Sequence, residues 1–134
     1  MPNNNEVLYN ACYGGFGFSK EAIAEYRARG GAFEGHWDRI PRNDPVMVSV
    51  VRDLGARANG MCAKLLIASV PAPFETHFEI DEYDGMESVR VDHRQWFIDH
   101  TRAVLRSRLA APDKVRAIAA LSAQQTEAEA HEFD

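Results

Sequence analysis

The alternation of apolar and polar positions along the chain predicts four β-strands. Residues 6–12 and 62–70 carry apolar side chains on both faces, which is typical of strands that are covered on both sides. Residues 74–81 alternate between apolar side chains and polar or acidic ones, which indicates a strand with one face in the core and the other in water. An Asp-Gly pair at 84–85 then predicts a tight hairpin turn that returns through residues 88–91.

Helical periodicity marks three further segments, at residues 19–30, 44–59 and 92–109. Each begins at a serine or aspartate, whose side chain can accept hydrogen bonds from the first N–H groups of a helix. A short fourth helix is predicted around Pro112. Residues 124–134 carry few apolar side chains, so we expect an acidic, flexible tail there.

These elements predict an α/β fold, with α+β as the alternative. We expect one small mixed β-sheet of about four strands, covered by the helices at 19–30 and 44–59, with a C-terminal helical extension. Residues 1–123 would form a single globular domain, with the tail at 124–134 outside it. The helix at 92–109 carries more apolar surface than one sheet face needs, so we also expect a homo-oligomer.

The formal net charge of −5 is distributed unevenly. Residues 61–91 carry six acidic and two basic side chains, residues 92–123 carry three acidic and six basic ones, and the last eleven residues carry four acids and no base. A nucleic-acid interface gathers Lys and Arg on one face, and only residues 94–116 approach that pattern, so we do not expect a nucleic-acid partner. The longest apolar run, residues 65–70, is too short to cross a bilayer, and the N-terminus lacks the features of a signal peptide. We therefore expect a cytoplasmic protein without a membrane partner.

The first candidate site is the sequence NACYGGFGFS at residues 10–19, which places three glycines and three aromatic side chains between a strand and a helix start. A loop that leads into a helix N-terminus can hold an anion, and aromatic side chains can stack on a base. The glycine spacing matches neither the dinucleotide-binding nor the P-loop pattern, so a purely structural turn is the alternative. The candidate ligand or partner contacts in this loop are Tyr13, Gly14, Gly15, Phe16, Phe18 and Ser19.

The second candidate site is the acidic outer face of the predicted hairpin, with Glu79, Asp81, Glu82 and Asp84. Such a face can contact a basic partner, ligate a hard cation or remain solvated. The spacing of the acids does not follow a calcium loop, so we assign no metal site.

The remaining reactive side chains give no established catalytic pattern. Cys12 and Cys62 lie in apolar contexts without a C-x-x-C spacing, and we interpret them as buried free thiols. The five histidines form no metal-binding motif. A hydrolase that pairs Cys12 or Ser19 with a histidine stays open, but we assign no catalytic residue and no cofactor, and we favour a non-enzymatic protein.

Several short motifs occur in order between residues 6 and 97, and their joint occurrence is specific: residues 10–19, RNDP at 42–45, LG at 54–55 with ANG at 58–60, AKL at 63–65 and EYDG at 82–85. Together they resemble a family of small uncharacterised proteins from bacteriophages, prophages and some giant viruses, whose members open with a Cys-Tyr-Gly-Gly-Phe turn.

The resemblance implies a viral accessory protein and supplies no catalytic residues. Such proteins commonly act by binding. Our leading hypothesis is therefore a non-enzymatic binder or inhibitor of a host protein, such as a component of antiviral defence, that acts through the glycine-aromatic loop and the acidic ribbon. The alternative is a small-molecule or nucleotide-binding protein, acting as a signal sponge or a nucleotide-handling enzyme.

Overall fold

The computed structural model describes the backbone of residues 5–132 and the side chains of residues 5–126. The chain divides into two compact units, with the division between Arg90 and Val91. Within the described residues, four strands form two separate two-stranded antiparallel sheets, accompanied by four α-helices and two short 3₁₀-helices. The mixed helix and strand content confirms the predicted fold class in its α+β form. The four strands form two pairs, whereas one mixed sheet was expected.

The first sheet joins distant parts of the sequence. Strand β1 (Asn5–Asn10) runs antiparallel to β2 (Leu65–Val70), with Asn5 opposite Val70 and Asn10 opposite Leu65. The second sheet is the predicted hairpin, formed by β3 (Phe78–Tyr83) and β4 (Met86–Val91). Asp84 and Gly85 both have positive φ, of 51° and 89°, as a type I′ turn between two strands requires.

The first two helices begin where the sequence predicts. Helix α1 (Lys20–Ala28) is capped by Ser19, and helix α2 (Pro45–Leu54) is capped by Asp44. Gly55 has a φ of 58° and ends α2 before the predicted boundary, because this left-handed conformation cannot continue an α-helix. A 3₁₀-helix (Gly55–Ala58) follows, and another (Trp37–Arg39) lies in the segment between α1 and α2.

The core of the first unit lies among α1, α2 and the first sheet. Its largest fully buried members include Tyr26 from α1, Met47 and Val50 from α2, and Leu8 from β1. Burial of each such side chain contributes about 1.5–3 kcal/mol relative to exposure. Helices as short as α1 and α2 are marginally stable in isolation, so packing of their apolar faces into this core stabilises them.

Two strands begin later than the sequence predicts. The turn that precedes β2 places Cys62 at a φ of 65°, so the strand begins at Leu65 and not at residue 62. The segment before β3 is turned, with the Phe74 N–H bonded to the Pro71 carbonyl, and Phe74 is buried. The predicted coverage of β2 on both faces is wrong at Leu66, which is exposed.

The second unit is a helical hairpin. Helix α3 (His93–Arg106) is capped by Asp92, as predicted, and is followed by α4 (Ala111–Glu132). The α4 backbone remains helical through Glu132, where the sequence analysis expects a flexible tail from residue 124, and the alanine and glutamate content of this stretch explains the helix. The flexibility of residues 124–134 stays a prediction. No helix in the described part of the chain is both long enough and apolar enough to cross a membrane.

Candidate recognition site

Phe18 is a core residue and not a surface contact. Its side chain is 7% exposed, and its ring meets the rings of Phe16 and Trp37 edge to face, with centroids 5.0 and 6.2 Å apart. A short β-bridge between Phe18 and Asn59 fixes the backbone at the same point. Phe18 therefore closes the core beneath the loop, and its buried ring gives no support to the predicted role as a ligand or partner contact, which stays a prediction.

Phe16 is partly buried beneath a cation. The guanidinium of Arg42 lies over the Phe16 ring, 3.4 Å from its centroid, in the geometry of a cation–π contact. One face of the ring is thus already covered by a side chain of the same unit. The contacts of Phe16 with Arg42 and Phe18 support a structural role in the loop.

The polar groups of Ser19 are engaged within the fold. The Ser19 hydroxyl accepts a hydrogen bond from the Ala22 N–H at 3.0 Å and donates one to the Arg57 carbonyl at 2.6 Å. The Ser19 N–H donates to the Ala58 carbonyl at 2.9 Å. These bonds cap α1 and tie it to the segment after α2, so Ser19 has a structural explanation that needs no phosphate.

The glycines of the loop allow close contact and an unusual backbone conformation. A Cβ at Gly14 would overlap the carbonyl oxygen and the Cβ of Cys62, so only glycine lets the loop lie against the turn before β2. Gly15 meets no neighbour but has a φ of 93°, which side chains other than hydrogen disfavour. Beside them, Tyr13 is 62% exposed.

The two candidate segments, predicted separately, lie together in the structure. A Cβ at Gly85 would lie 2.6 Å from the Tyr13 carbonyl oxygen and 2.9 Å from the Gly15 nitrogen, so the hairpin turn packs directly on the glycine-aromatic loop. The Asn10 side-chain amide donates to both the Cys12 and the Gly85 carbonyls at 2.8 Å. The loop and the turn therefore form one continuous surface of the first unit.

A buried polar cluster, formed by Asn10, Arg42 and Glu87, holds this surface in place. The Asn10 side-chain oxygen accepts from the Lys64 N–H at 2.8 Å, and its backbone N–H donates to Glu87 at 2.9 Å. Arg42 donates two hydrogen bonds to the Glu87 carboxylate, at 2.7 and 3.0 Å. Asn10 is fully buried, and the Glu87 side chain is only 9% exposed. Because each polar group has a partner, the cluster is compatible with burial.

The sequence alone does not predict this cluster. Asn10 and Arg42 occur in the motifs that carry the family resemblance, but they have no chemical pattern of their own in the sequence. One signal was available for Asn10, because an asparagine inside an apolar strand needs hydrogen-bond partners if it is buried. Its pairing with Glu87, 77 positions away, could not be inferred.

The acids of the hairpin have different surroundings. Glu79 and Asp81 both form ion pairs with Arg90, the latter at 3.0 Å. Glu82 accepts a hydrogen bond from the Gly85 N–H at 2.8 Å and so stabilises the turn, while Asp84 is exposed at the turn itself. The predicted acidic face is therefore partly neutralised along the strand, and its negative charge is concentrated at Glu82 and Asp84.

Three large side chains are exposed on the segments that meet here. Tyr13 belongs to the loop, Tyr83 (78% exposed) precedes the hairpin turn, and Met61 (94% exposed) lies in the turn that contacts Gly14. We call these three residues, together with the two turn acids, the recognition patch: Tyr13, Met61, Glu82, Tyr83 and Asp84.

Among the described residues, the structure supports neither a metal site nor a pairing of Cys12 with a histidine. No group of three or more His, Cys, Asp or Glu side chains is placed to hold a metal ion there. The Cys12 thiol contacts the Asn10 side-chain oxygen at 3.3 Å and the Cys62 carbonyl at 2.8 Å, so its hydrogen-bond partner is not a histidine. The predicted burial of both thiols is also wrong, because Cys12 is half-buried and Cys62, in a surface turn, is exposed.

Similarity to known proteins does not assign the site. The chain matches no protein-family model, no curated protein and no solved structure.

Proposed function

We propose that this chain is a bacteriophage-type accessory protein that binds and inhibits a host protein, such as a component of antiviral defence, in the host cytoplasm, without catalysing a reaction. The observation that carries the proposal is the packing of the hairpin turn on the glycine-aromatic loop, through Gly85 and the backbone of Tyr13. This contact and that of Gly14 with Cys62 gather exposed aromatic and methionine side chains on adjoining segments.

The composition of the recognition patch supports partner binding. Tyrosine and methionine are enriched at protein interfaces, because they bury a large apolar area with few rotatable bonds or adapt to irregular surfaces. The two acids at the hairpin turn add a negative rim, which would favour a partner with basic groups around an apolar contact. The buried cluster below supports a preformed surface, which lowers the entropic cost of binding.

The proposal is tested by capture of host proteins on the immobilised chain. We expect the double variant Tyr13→Ala/Tyr83→Ala, and separately Glu82→Lys/Asp84→Lys, to reduce the captured partner by at least about tenfold, since interface anchors commonly contribute about 2 kcal/mol or more. Glu21→Lys/Glu34→Lys is the matched control, because it reverses two exposed acids of the same unit outside the patch. Unchanged capture by both patch variants, with all proteins folded by circular dichroism, would exclude this surface.

A nucleotide-binding function is the alternative, and it has less support. The strand, glycine loop and helix start are present, but Phe18 is buried and the Ser19 hydroxyl and N–H are engaged. Thermal unfolding with a panel of nucleotides decides between the two, because a ligand at 100 times its Kd adds about 2.7 kcal/mol of stability. A nucleotide that raises the Tm by several degrees would displace the binding-protein proposal.

Self-association stays a prediction for the second unit. Leu105 on α3, Leu109 in the connection between the helices and Val115 on α4 are exposed, which is compatible with burial against another copy. Sedimentation or light scattering of the full chain measures this directly. A monomer at all concentrations up to about 100 μM would contradict it.

A further inference from the structure

We infer that Cys12 and Cys62 form an oxidation site, in which a hydroperoxide reacts with the exposed Cys62 thiol and Cys12 then closes a disulfide. The two cysteines lie 50 positions apart and are brought together by the contact of the glycine-aromatic loop with the turn before β2.

The backbone geometry places the pair within reach. The Cys12 thiol donates a hydrogen bond of 2.8 Å to the Cys62 carbonyl oxygen. The Cys62 side chain also starts beside the loop, because a Cβ on Gly14 would overlap the Cys62 Cβ. With covalent dimensions added to the hydrogen bond, the two Cα atoms are at most about 8 Å apart, and a disulfide spans about 4.4–6.8 Å. To form the disulfide, the two Cα atoms therefore need to approach each other by at most about 1 Å.

The two thiols differ in access, which assigns their roles. Cys62 is exposed in a tight turn closed by a hydrogen bond from the Ala63 N–H to the Gly60 carbonyl, so an oxidant from solution meets it first. Cys12 is half-buried and held between Asn10 and the Cys62 backbone. An accessible thiol beside a second, protected one is the arrangement of a peroxide-reactive cysteine with a resolving partner.

The chemistry balances with a hydroperoxide as the oxidant. The Cys62 sulfur attacks the hydroperoxide, the O–O bond breaks, and Cys62 becomes a sulfenic acid while the Cys62 proton leaves with the released alcohol, or with water when the oxidant is hydrogen peroxide. The Cys12 sulfur then attacks the Cys62 sulfur, the S–O bond breaks, and the hydroxide leaves as water with the Cys12 proton. Two thiols lose two electrons in total, and the peroxide gains them.

The test treats the folded, full-length chain with hydrogen peroxide and measures free thiols and masses. We expect the free thiols to fall from two per chain to none, with one disulfide inside a single chain and full recovery by a dithiol reductant. Cys12→Ser should leave Cys62 as a sulfenic acid that dimedone labels, and Cys62→Ser should slow the oxidation of Cys12 at least about tenfold.

Two results would overturn the inference. Dimedone-labelled or over-oxidised Cys62 in the unsubstituted chain, without a bond to Cys12, would show that Cys12 does not resolve it. Disulfides that link two chains through Cys62 would show that the pair does not meet within one molecule. Either result is read from peptide masses and does not depend on any partner.

A consequence for binding rests on the proposed function. Tyr13 and Met61 each adjoin one of the cysteines, so the disulfide would fix the two segments of the recognition patch against each other. We expect reduction of the peroxide-treated chain by a dithiol, which restores the thiols but not an oxidised methionine, to change partner capture at least about threefold, and to have no effect on the Cys12→Ser/Cys62→Ser variant. Absence of capture in both states would contradict the proposed function, whereas capture that is unaffected by a proven disulfide would overturn only this consequence.

Discussion

Arg42 donates two hydrogen bonds to the Glu87 carboxylate, at 2.7 and 3.0 Å, although the two residues lie 45 positions apart. The same guanidinium covers the Phe16 ring. One cation thus joins the segment before α2 to the hairpin and to the glycine-aromatic loop. The candidate site of this protein depends on that connection.

We expect Arg42→Met to lower the free energy of unfolding by about 3 kcal/mol, because it leaves a mostly buried carboxylate without its cation. The expected loss is at the lower end of the range of about 3–5 kcal/mol for breaking a buried ion pair, because the Arg42 side chain is 25% exposed. Urea denaturation measures the change. Glu79→Gln, which removes an exposed partner of Arg90, is the control and should cost at most about 1 kcal/mol. Equal effects of the two substitutions would show that Glu87 is better hydrated than its contacts indicate.

Asn10→Ala should destabilise the protein by about 2–4 kcal/mol, since it leaves several buried backbone groups without partners. The lost contacts include the bonds from the Asn10 amide to the carbonyls of Cys12 and Gly85, and the bond from the Lys64 N–H. The Asn5→Ala variant removes a single bond to the Glu75 carbonyl and should cost about 1 kcal/mol at most. Thermal and urea unfolding measure the loss of stability in the two variants. A cost at Asn10 below that at Asn5 would argue against the buried cluster.

Gly14→Ala and Gly15→Ala separate steric contact from backbone strain. The first places a methyl group on the backbone of Cys62, so we expect a loss of about 3 kcal/mol. The second meets no atom but requires alanine at a φ of 93°, for which about 1–2 kcal/mol is expected. Urea unfolding of the two single variants shows which substitution costs more stability. A smaller effect at Gly14 than at Gly15 would contradict the close approach of the loop to the turn before β2.

Because of Tyr26, we expect the free energy of unfolding to fall as the pH rises into the alkaline range. The Tyr26 hydroxyl donates to Asp44 at 2.8 Å and accepts from the Phe33 N–H at 3.0 Å, and burial is the main cause that raises the Tyr26 pKa above its ordinary 10.0, with the Asp44 carboxylate adding to it. Below pH 10.0 both states hold the proton and the contribution is complete. As the pH rises further, the unfolded chain loses its proton first, so stability falls up to the raised pKa of the folded state.

The measurement is urea unfolding of the unsubstituted chain and of Tyr26→Phe across this range. At neutral pH the variant should be less stable by about 1–2 kcal/mol, because it loses the hydroxyl bonds. The difference should shrink above pH 10.0, since the variant has no Tyr26 proton to lose. Tyr83→Phe, at an exposed position, should cost little stability at neutral pH. A difference that stays constant up to high pH would mean that Tyr26 titrates normally in the fold.

Part of the candidate site was predictable. The glycine-aromatic loop and the hairpin turn were both identified from local patterns, because glycine content, an Asp-Gly pair and alternating acids are visible in short windows. Their direct contact through Gly85 was not, since sequence separation hides which turns meet. The same limit applies to Cys12 and Cys62, which were expected to be buried and unrelated.

By itself, the sequence determined the local elements: the caps at Ser19, Asp44 and Asp92, and the turn at Asp84 and Gly85. Such signals act over a few residues, through side-chain bonds to nearby N–H groups and through the φ values that glycine allows.

Only the tertiary structure decided which strands pair, which aromatic side chains are buried and which acids are neutralised. Phe18 is in the core, whereas Tyr13 is exposed, although both belong to the same loop. Arg90 neutralises Glu79, and Arg42 binds Glu87, although all four lie in ordinary polar contexts in the sequence. The physical reason is that burial and ion pairing depend on contacts between distant segments, and local sequence patterns carry no record of which segments meet.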